Sequence, residues 1–199
     1  MRKKIVTQLA YNPGNETTLL LSHVPHKCYC DMVLLYRYCD ATSHSFEKYV
    51  TNKDLEELGV DFDMFHREAL KNSSEIFPLE TQTLTAILKE NYPGLEFDKE
   101  YEVELMIVTN VFEENGANAI LYPGVLDGLA DYFHGDLYII PFSIHRVMVM
   151  KVPEISCNAS FEFGEKIHVI PAEMLSRKVF HYESSTKIFE TIKQYKERQ

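Results

Sequence analysis

The sequence predicts an α+β fold: a mixed, largely antiparallel sheet packed by three to five helices in a single domain. Strand-like segments occur in both halves, with alternation at Glu102 to Thr109, the middle repeats every three to four residues, and Gly, Pro and Asn separate the two patterns. Hydrophobic residues form 45% of the 199-residue chain and aromatics 12%, enough to build a core. The reading places one domain over residues 1–182 and a C-terminal helical arm over 183–199. There is no internal repeat and no low-complexity segment.

The chain opens with strand patterns. Ile5 to Leu9 reads as a short strand, Tyr11-Asn12-Pro13-Gly14-Asn15 as a turn, and Thr18 to Ser22 as a further strand. Met32 to Tyr38 is a stronger strand, rich in β-formers and bounded by Asp31 and Asp40. Phe46 to Thr51 returns as an extended segment. The period then changes. Asn52 is placed as the N-cap of a short helix that stops at Gly59, and Asp61 caps a longer one. Phe62, Phe65, Ala69, Ser73 and Ile76 share one face of that helix, which Pro78 ends. Thr81 is expected to start a third helix, with Leu84, Ile87 and Leu88 inward and Pro93-Gly94 as its stop.

Glu102 to Thr109 alternates as a half-buried strand. Glu114-Asn115-Gly116 is read as a type I′ hairpin turn, with Ala117 to Tyr122 as the partner strand. Pro123 is placed at the first position of a helix whose stripe is Val125, Leu126, Leu129, Ala130 and Phe133. Gly135 is its expected stop. Leu137–Ile140 and Val147–Val152 are buried strands on either side of a bend at Pro141-Phe142-Ser143-Ile144-His145. Ile167 to Ile170 reads as a last strand and Pro171 to Tyr182 as a helix. Beyond Ser184, the stripe Ile188, Ile192 and Tyr195 predicts a helical tail.

Charge narrows the function classes. Thirty acidic against 20 basic side chains leave a net charge of −10, so direct nucleic-acid binding is not expected. No stretch approaches the ~20 apolar residues a membrane span needs, and no signal-peptide pattern follows Met1. The expected setting is the cytoplasm, with no membrane partner and with Cys28, Cys30, Cys39 and Cys157 reduced. No motif calls for a cofactor.

Three groups carry candidate chemistry. His23, His26, Cys28 and Cys30 form the densest set of soft ligands, the types a tetrahedral zinc site uses, yet Cys beside an apolar strand packs as a core residue just as well. Ser143 and His145 put a hydroxyl and an imidazole two residues apart. They read as a nucleophile and base, as a polar clamp on a ligand, or as groups satisfying the turn's own backbone. Tyr122-Pro123-Gly124 precedes a helix whose free N–H groups suit an anion. With one glycine and no lysine it reads mainly as a rigid strand-to-helix corner. Tyr122, Pro123, Gly124, Ser143 and His145 are therefore the candidate binding residues, brought to one rim. Asp127, Asp131 and Asp136, the acids at 56, 57, 61 and 63, and His66 read as solvated helix faces or helix-end charges.

Several of these segments resemble an uncharacterised bacterial domain-of-unknown-function family, number 5688. The resemblance rests on Val24-Pro25-His26 with Asp31, on Ala69-Leu70-Lys71-Asn72-Ser73, on Ala119 to Leu126 and on Asp136 to His145, and it covers most of the chain. Phe142 and Arg146 depart from the family's usual Ser and Glu. The resemblance implies an α+β fold and a bacterial cytoplasmic setting, and it lends no activity.

The leading functional expectation is a non-catalytic accessory protein that binds another protein. Its sharpest version is an inhibitor or DNA mimic, such as an anti-CRISPR or anti-restriction factor. A small hydrolase using Ser143 and His145, with Tyr122 lining its pocket, is the first alternative. A zinc-binding regulator using His26, Cys28 and Cys30 is the second.

Overall fold

The computed structural model describes residues 3–12, 18–92, 94, 105–152 and 173–198. Within them the chain is α+β, with ten strands in two antiparallel sheets and six α-helices. The first sheet is built on β3 (Met32–Asp40), whose residues 32–36 are all buried. β1 (Lys3–Tyr11) pairs with all of β3 along one side. β2 (His26–Tyr29) and β4 (Ser45–Tyr49) share the other side.

The second sheet runs β10-β9-β7-β8-β6-β5. Its members are β5 (Leu79–Thr83), β6 (Leu105–Asn110), β7 (Leu137–Ile140), β8 (Val147–Lys151), β9 (Phe180–Glu183) and β10 (Ile188–Thr191). The helices are α1 (Thr18–Leu21), α2 (Asn52–Leu58), α3 (Phe62–Ile76), α4 (Leu84–Asn91), α5 (Val125–Phe133) and α6 (Ile192–Arg198). A 3-10 helix spans Gly116–Leu121.

One apolar core joins the sheets. Leu9, Met32 and Leu34 of the first meet Met106, Val108, Leu137, Ile139, Val147 and Val149 of the second, with Leu129, Ala130 and Phe133 of α5. The 3-10 helix is buried in the same core, with Ala117 and Ala119 fully enclosed.

α3 covers the open edge of β1. An edge strand leaves backbone groups that no neighbouring strand takes. Here Ser73 Oγ accepts the Thr7 N–H (2.8 Å) and Asn72 Nδ2 donates to the Ile5 carbonyl (3.1 Å), so two helix side chains stand in for a strand. The Thr7 side chain extends the contact. Asn118 Nδ2, on the 3-10 helix, donates to Thr7 Oγ1 (2.7 Å), which lies 2.9 Å from Ser73 Oγ. Ser73 Oγ donates to the Ala69 carbonyl (2.9 Å). A hydroxyl has one proton, so the order is fixed: Asn118 to Thr7 to Ser73 to Ala69.

Several expected elements change type. Thr18–Leu21 is one helical turn in place of a strand. The first-helix cap is Thr51, one residue before Asn52, in a reciprocal capping box with Asp54. Leu79–Thr83 is a strand along β6, and its last residue, Thr83, caps α4. Ala117–Leu121 is 3-10 helix rather than a hairpin strand, because Gly-Ala-Asn-Ala has no β-branched residue and is small enough to pass between the sheets.

Pro123 precedes the α5 cap, Gly124, and His134 in the left-handed region, not Gly135, ends that helix. The described residues from 173 to 179 are not helical. There Ser176 Oγ accepts the Lys178 N–H (3.0 Å) and donates to Asp31 (2.7 Å), local bonding that competes with a helix. The tail expected as a helical arm over 183–199 forms β10 first, and only then α6. The expected turn at 13–15, residues 102–104, the strand at 167–170 and Cys157 lie outside the described residues.

Ser73→Ala leaves the buried Thr7 N–H without its acceptor. The expected cost is about 1–3 kcal/mol of unfolding free energy, read from urea denaturation followed by circular dichroism. An unchanged midpoint would show that the edge cover contributes nothing.

Candidate functional site

The bend after β7 is where sequence reasoning concentrated its candidates, and hydrogen bonds account for most of it. Ser143 is buried, and its Oγ accepts the N–H groups of His145 (3.2 Å) and Arg146 (3.1 Å). His145 Nδ1 accepts the Asn115 N–H (3.2 Å), which puts the proton of the neutral ring on Nε2. The hydroxyl and the imidazole thus serve different backbone partners. The bend is held on all sides: Ala117 N–H donates to the Ile144 carbonyl (3.2 Å), Thr109 Oγ1 to the His145 carbonyl (2.9 Å), and Ile144 N–H to the Glu173 carbonyl (2.8 Å).

Gly116 sits in the tightest part of this junction. A Cβ there would lie 2.2 Å from Thr109 Oγ1, 2.6 Å from the His145 carbonyl oxygen and 2.7 Å from Asn110 N. Two of those atoms are backbone and cannot swing away. The glycine of the Asn-Gly pair is therefore required by close approach, while Asn115 takes the left-handed conformation (φ 52°).

The Tyr122-Pro123-Gly124 corner lies beyond the other end of the 3-10 helix. At about 2 Å per residue, that is roughly 12 Å of chain from Gly116. Tyr122 is buried, its hydroxyl donates to the Phe77 carbonyl (3.1 Å), and burial raises its pKa. Its phenol is thus part of the core, not the wall of a pocket beside Ser143. Pro123 and Gly124 are exposed, and Gly124 (φ 79°) supplies the left-handed cap of α5.

The soft ligands do not converge. Residues i and i+2 of a strand share a face. His26 and Cys28 are placed this way on β2. His26 Nδ1 donates to the Val24 carbonyl (3.0 Å), and Cys30 Sγ accepts from Lys178 Nζ (3.0 Å). His23 is exposed, as are Cys28 and Cys30. Among the described residues no three His, Cys, Asp or Glu side chains gather as a metal site.

Asp127, expected on a solvated face, accepts from the Tyr182 hydroxyl and pairs with Lys187 (2.7 Å), tying α5 to the β9–β10 hairpin. Asp136 accepts the Ser184 N–H (2.9 Å) and hydroxyl (2.8 Å). His66 is buried on α3 and hydrogen-bonds the Tyr36 hydroxyl (2.8 Å); burial lowers its pKa.

The loop that the bend supports was missed. Between β6 and the 3-10 helix, Asn110 folds the chain over its own side chain: Oδ1 accepts the Phe112 N–H (2.9 Å) and Nδ2 donates to the Glu114 carbonyl (2.9 Å). Asn115 is gripped from both sheets, its side chain by Gln8 of β1 (3.0 Å) and its N–H by His145. This framework holds Val111 and Phe112 out, 49% and 46% exposed. Phe112 lies against His44 (centroids 4.5 Å apart) and edge-on to Phe77. Val111 N–H donates to the Pro78 carbonyl (3.0 Å), beside Leu79, another large exposed apolar residue. Glu113 and Arg146 form an ion pair beside the apolar residues. The sequence signal is an apolar pair, Val111-Phe112, lying between the strand read to Thr109 and the turn read at Glu114-Asn115-Gly116.

Residues 1–184 match the family described as "Family of unknown function (DUF5688)", and the chain belongs to that family. No curated protein and no solved structure matches it. Of the segments that carried the resemblance, Asp31, Asn72, Ser73, Tyr122, Asp136, Ser143 and His145 each bond across elements or close a turn. None of the described helices is long and apolar enough to cross a membrane.

Gly116→Ala is expected to destabilise the fold by about 3 kcal/mol, as overpacking against fixed backbone does. Ser143→Ala, which removes a shared acceptor, should cost about 1–2 kcal/mol. Thermal melts of both variants check this. Wild-type stability for Gly116→Ala would mean the junction is loose.

Proposed function

We propose that the chain is a non-catalytic cytoplasmic protein that works by binding another protein. The observation that carries this is the preorganised loop at Val111 and Phe112. Exposed apolar groups with charged neighbours make up the usual anatomy of a protein interface. A loop already fixed by Asn110, Gln8 and His145 loses little conformational entropy on binding. The net charge of −10 favours a partner with a basic surface, and complementary charge speeds encounter. A nucleic-acid-binding enzyme held off by an acidic inhibitor is the narrower form of this reading. The bend supports it only indirectly, since Ser143 and His145 hold the loop from beneath.

The experiment is affinity capture from native host lysate with wild-type protein and with Phe112→Ser. Phe112 is about half exposed, so the variant should keep its melting temperature to within a few degrees. A stoichiometric partner retained by wild type and lost at least tenfold in the variant is the expected result. Equal capture by both proteins, or no stoichiometric partner at all, would contradict the proposal.

A further inference from the structure

His181 lies at the centre of β9 and is fully buried, and neither ring nitrogen has a hydrogen-bond partner. Among the described residues it and Asn118 are the only ones with such orphaned side-chain atoms. A buried imidazole without partners is costly, so what covers it matters. The cover is α6: Tyr195 stacks on the His181 ring with centroids 3.8 Å apart and planes 26° from parallel. α6 is seven residues long and buries none of its own residues. Its other holds are polar, and at its first residue the Ile192 N–H donates to the Val179 carbonyl (3.0 Å). Arg198 pairs with Glu183 (2.9 Å) and Glu190 (2.8 Å), and Thr191 caps the helix with Gln194.

The groups facing His181 come from every element around it. β7 contributes Tyr138, directly opposite in register, and Asp136 just before the strand has Oδ2 3.7 Å from Nε2. β10 contributes Glu190, the cross-strand partner. Glu183 lies on β9 itself, and α6 adds Tyr195 and Arg198. Burial, the largest influence, disfavours the charged ring. Asp136, Glu183 and Glu190 oppose burial, Arg198 adds to it, and the balance lies below the ordinary imidazole value. With α6 docked, His181 is therefore neutral. With α6 away, the ring meets water and titrates near the ordinary value of about 6.5.

We infer that α6 is an acid-released latch: taking up a proton on His181 in mildly acidic medium frees the helix and uncovers His181 and Tyr138. The sign follows from linkage. The open state binds the proton more readily, so docking is full above about pH 6.5 and is lost as pH falls below it. β10 and α6 also lie beyond residue 184, where the family match ends. This inference does not depend on the partner-binding reading.

The test is hydrogen exchange of the full chain by mass spectrometry at pH 7.5 and 5.5, with protection factors for residues 192–198 corrected for intrinsic rates. One proton limits the response to about tenfold per pH unit, so protection should fall up to roughly tenfold between those values. The Glu183 pair with Arg198 stays charged in this window, since Thr186 and Arg198 hold the Glu183 carboxyl below the usual range. His181→Phe keeps the ring stack without a titrating group and should stay protected at both pH values. In the wild-type chain, the His181 ring-proton resonance should change over the same pH interval as the α6 amides, a readout that needs no variant. Unchanged protection, an equal fall in His181→Phe, no protection at pH 7.5, or a ring that titrates without the helix would each overturn the latch.

Discussion

The structure depends on a short run of buried hydrogen bonds, from Asn118 through Thr7 and Ser73 to the Ala69 carbonyl. In one contact it joins the edge of the first sheet, the long helix α3 and the 3-10 helix buried beside the second sheet. Ser73 Oγ accepts from both the Thr7 N–H and the Thr7 hydroxyl, so the order of donors cannot be reversed without giving up the Ser73 hydrogen bond to the Ala69 carbonyl. The apolar core supplies the larger stabilisation. The polar run fixes how the sheets are set against each other, because apolar contacts alone are not directional.

Positions further out follow from that setting. With the 3-10 helix fixed, Gly116 is pressed against Thr109 and the His145 carbonyl, and Asn115 is reached by Gln8 from one sheet and by His145 from the bend of the other. The exposed loop with Val111 and Phe112 is the outer end of this chain of contacts. Of the residues that made the sequence resemble its family, Ala69, Ser73 and His145 lie in this chain of contacts.

Fold class was legible because it rests on periodicity. β1, β3, β7, β8 and the apolar face of α3 fell where β-rich or buried apolar runs and the three-to-four spacing put them. What misled was local chemistry with two uses. Asn-Gly signals a hairpin, but here the glycine answers a steric demand from the end of β6 and from the His145 carbonyl of the bend. Thr81 reads as the start of a helix, but it lies in the middle of β5 paired with β6, and the cap falls at Thr83 where the strand ends. Ile188 and Ile192 are four apart, as on a helix, yet cross-strand bonds to β9 make the first of them a strand residue. At the candidate site the residue types were identified and their roles were not. Ser143 and His145 are turned toward backbone amides, and no spacing rule reports where a side chain points.

The central claim is that the two sheets are coupled into one cooperative unit through α3 and the 3-10 helix. Native-state hydrogen exchange in low urea tests it most directly, comparing β3 of the first sheet with β7 and β8 of the second. The account predicts one opening free energy and one urea dependence for the slowest amides of all three strands. Two separate plateaus, with one sheet opening several kcal/mol more easily than the other, would contradict it.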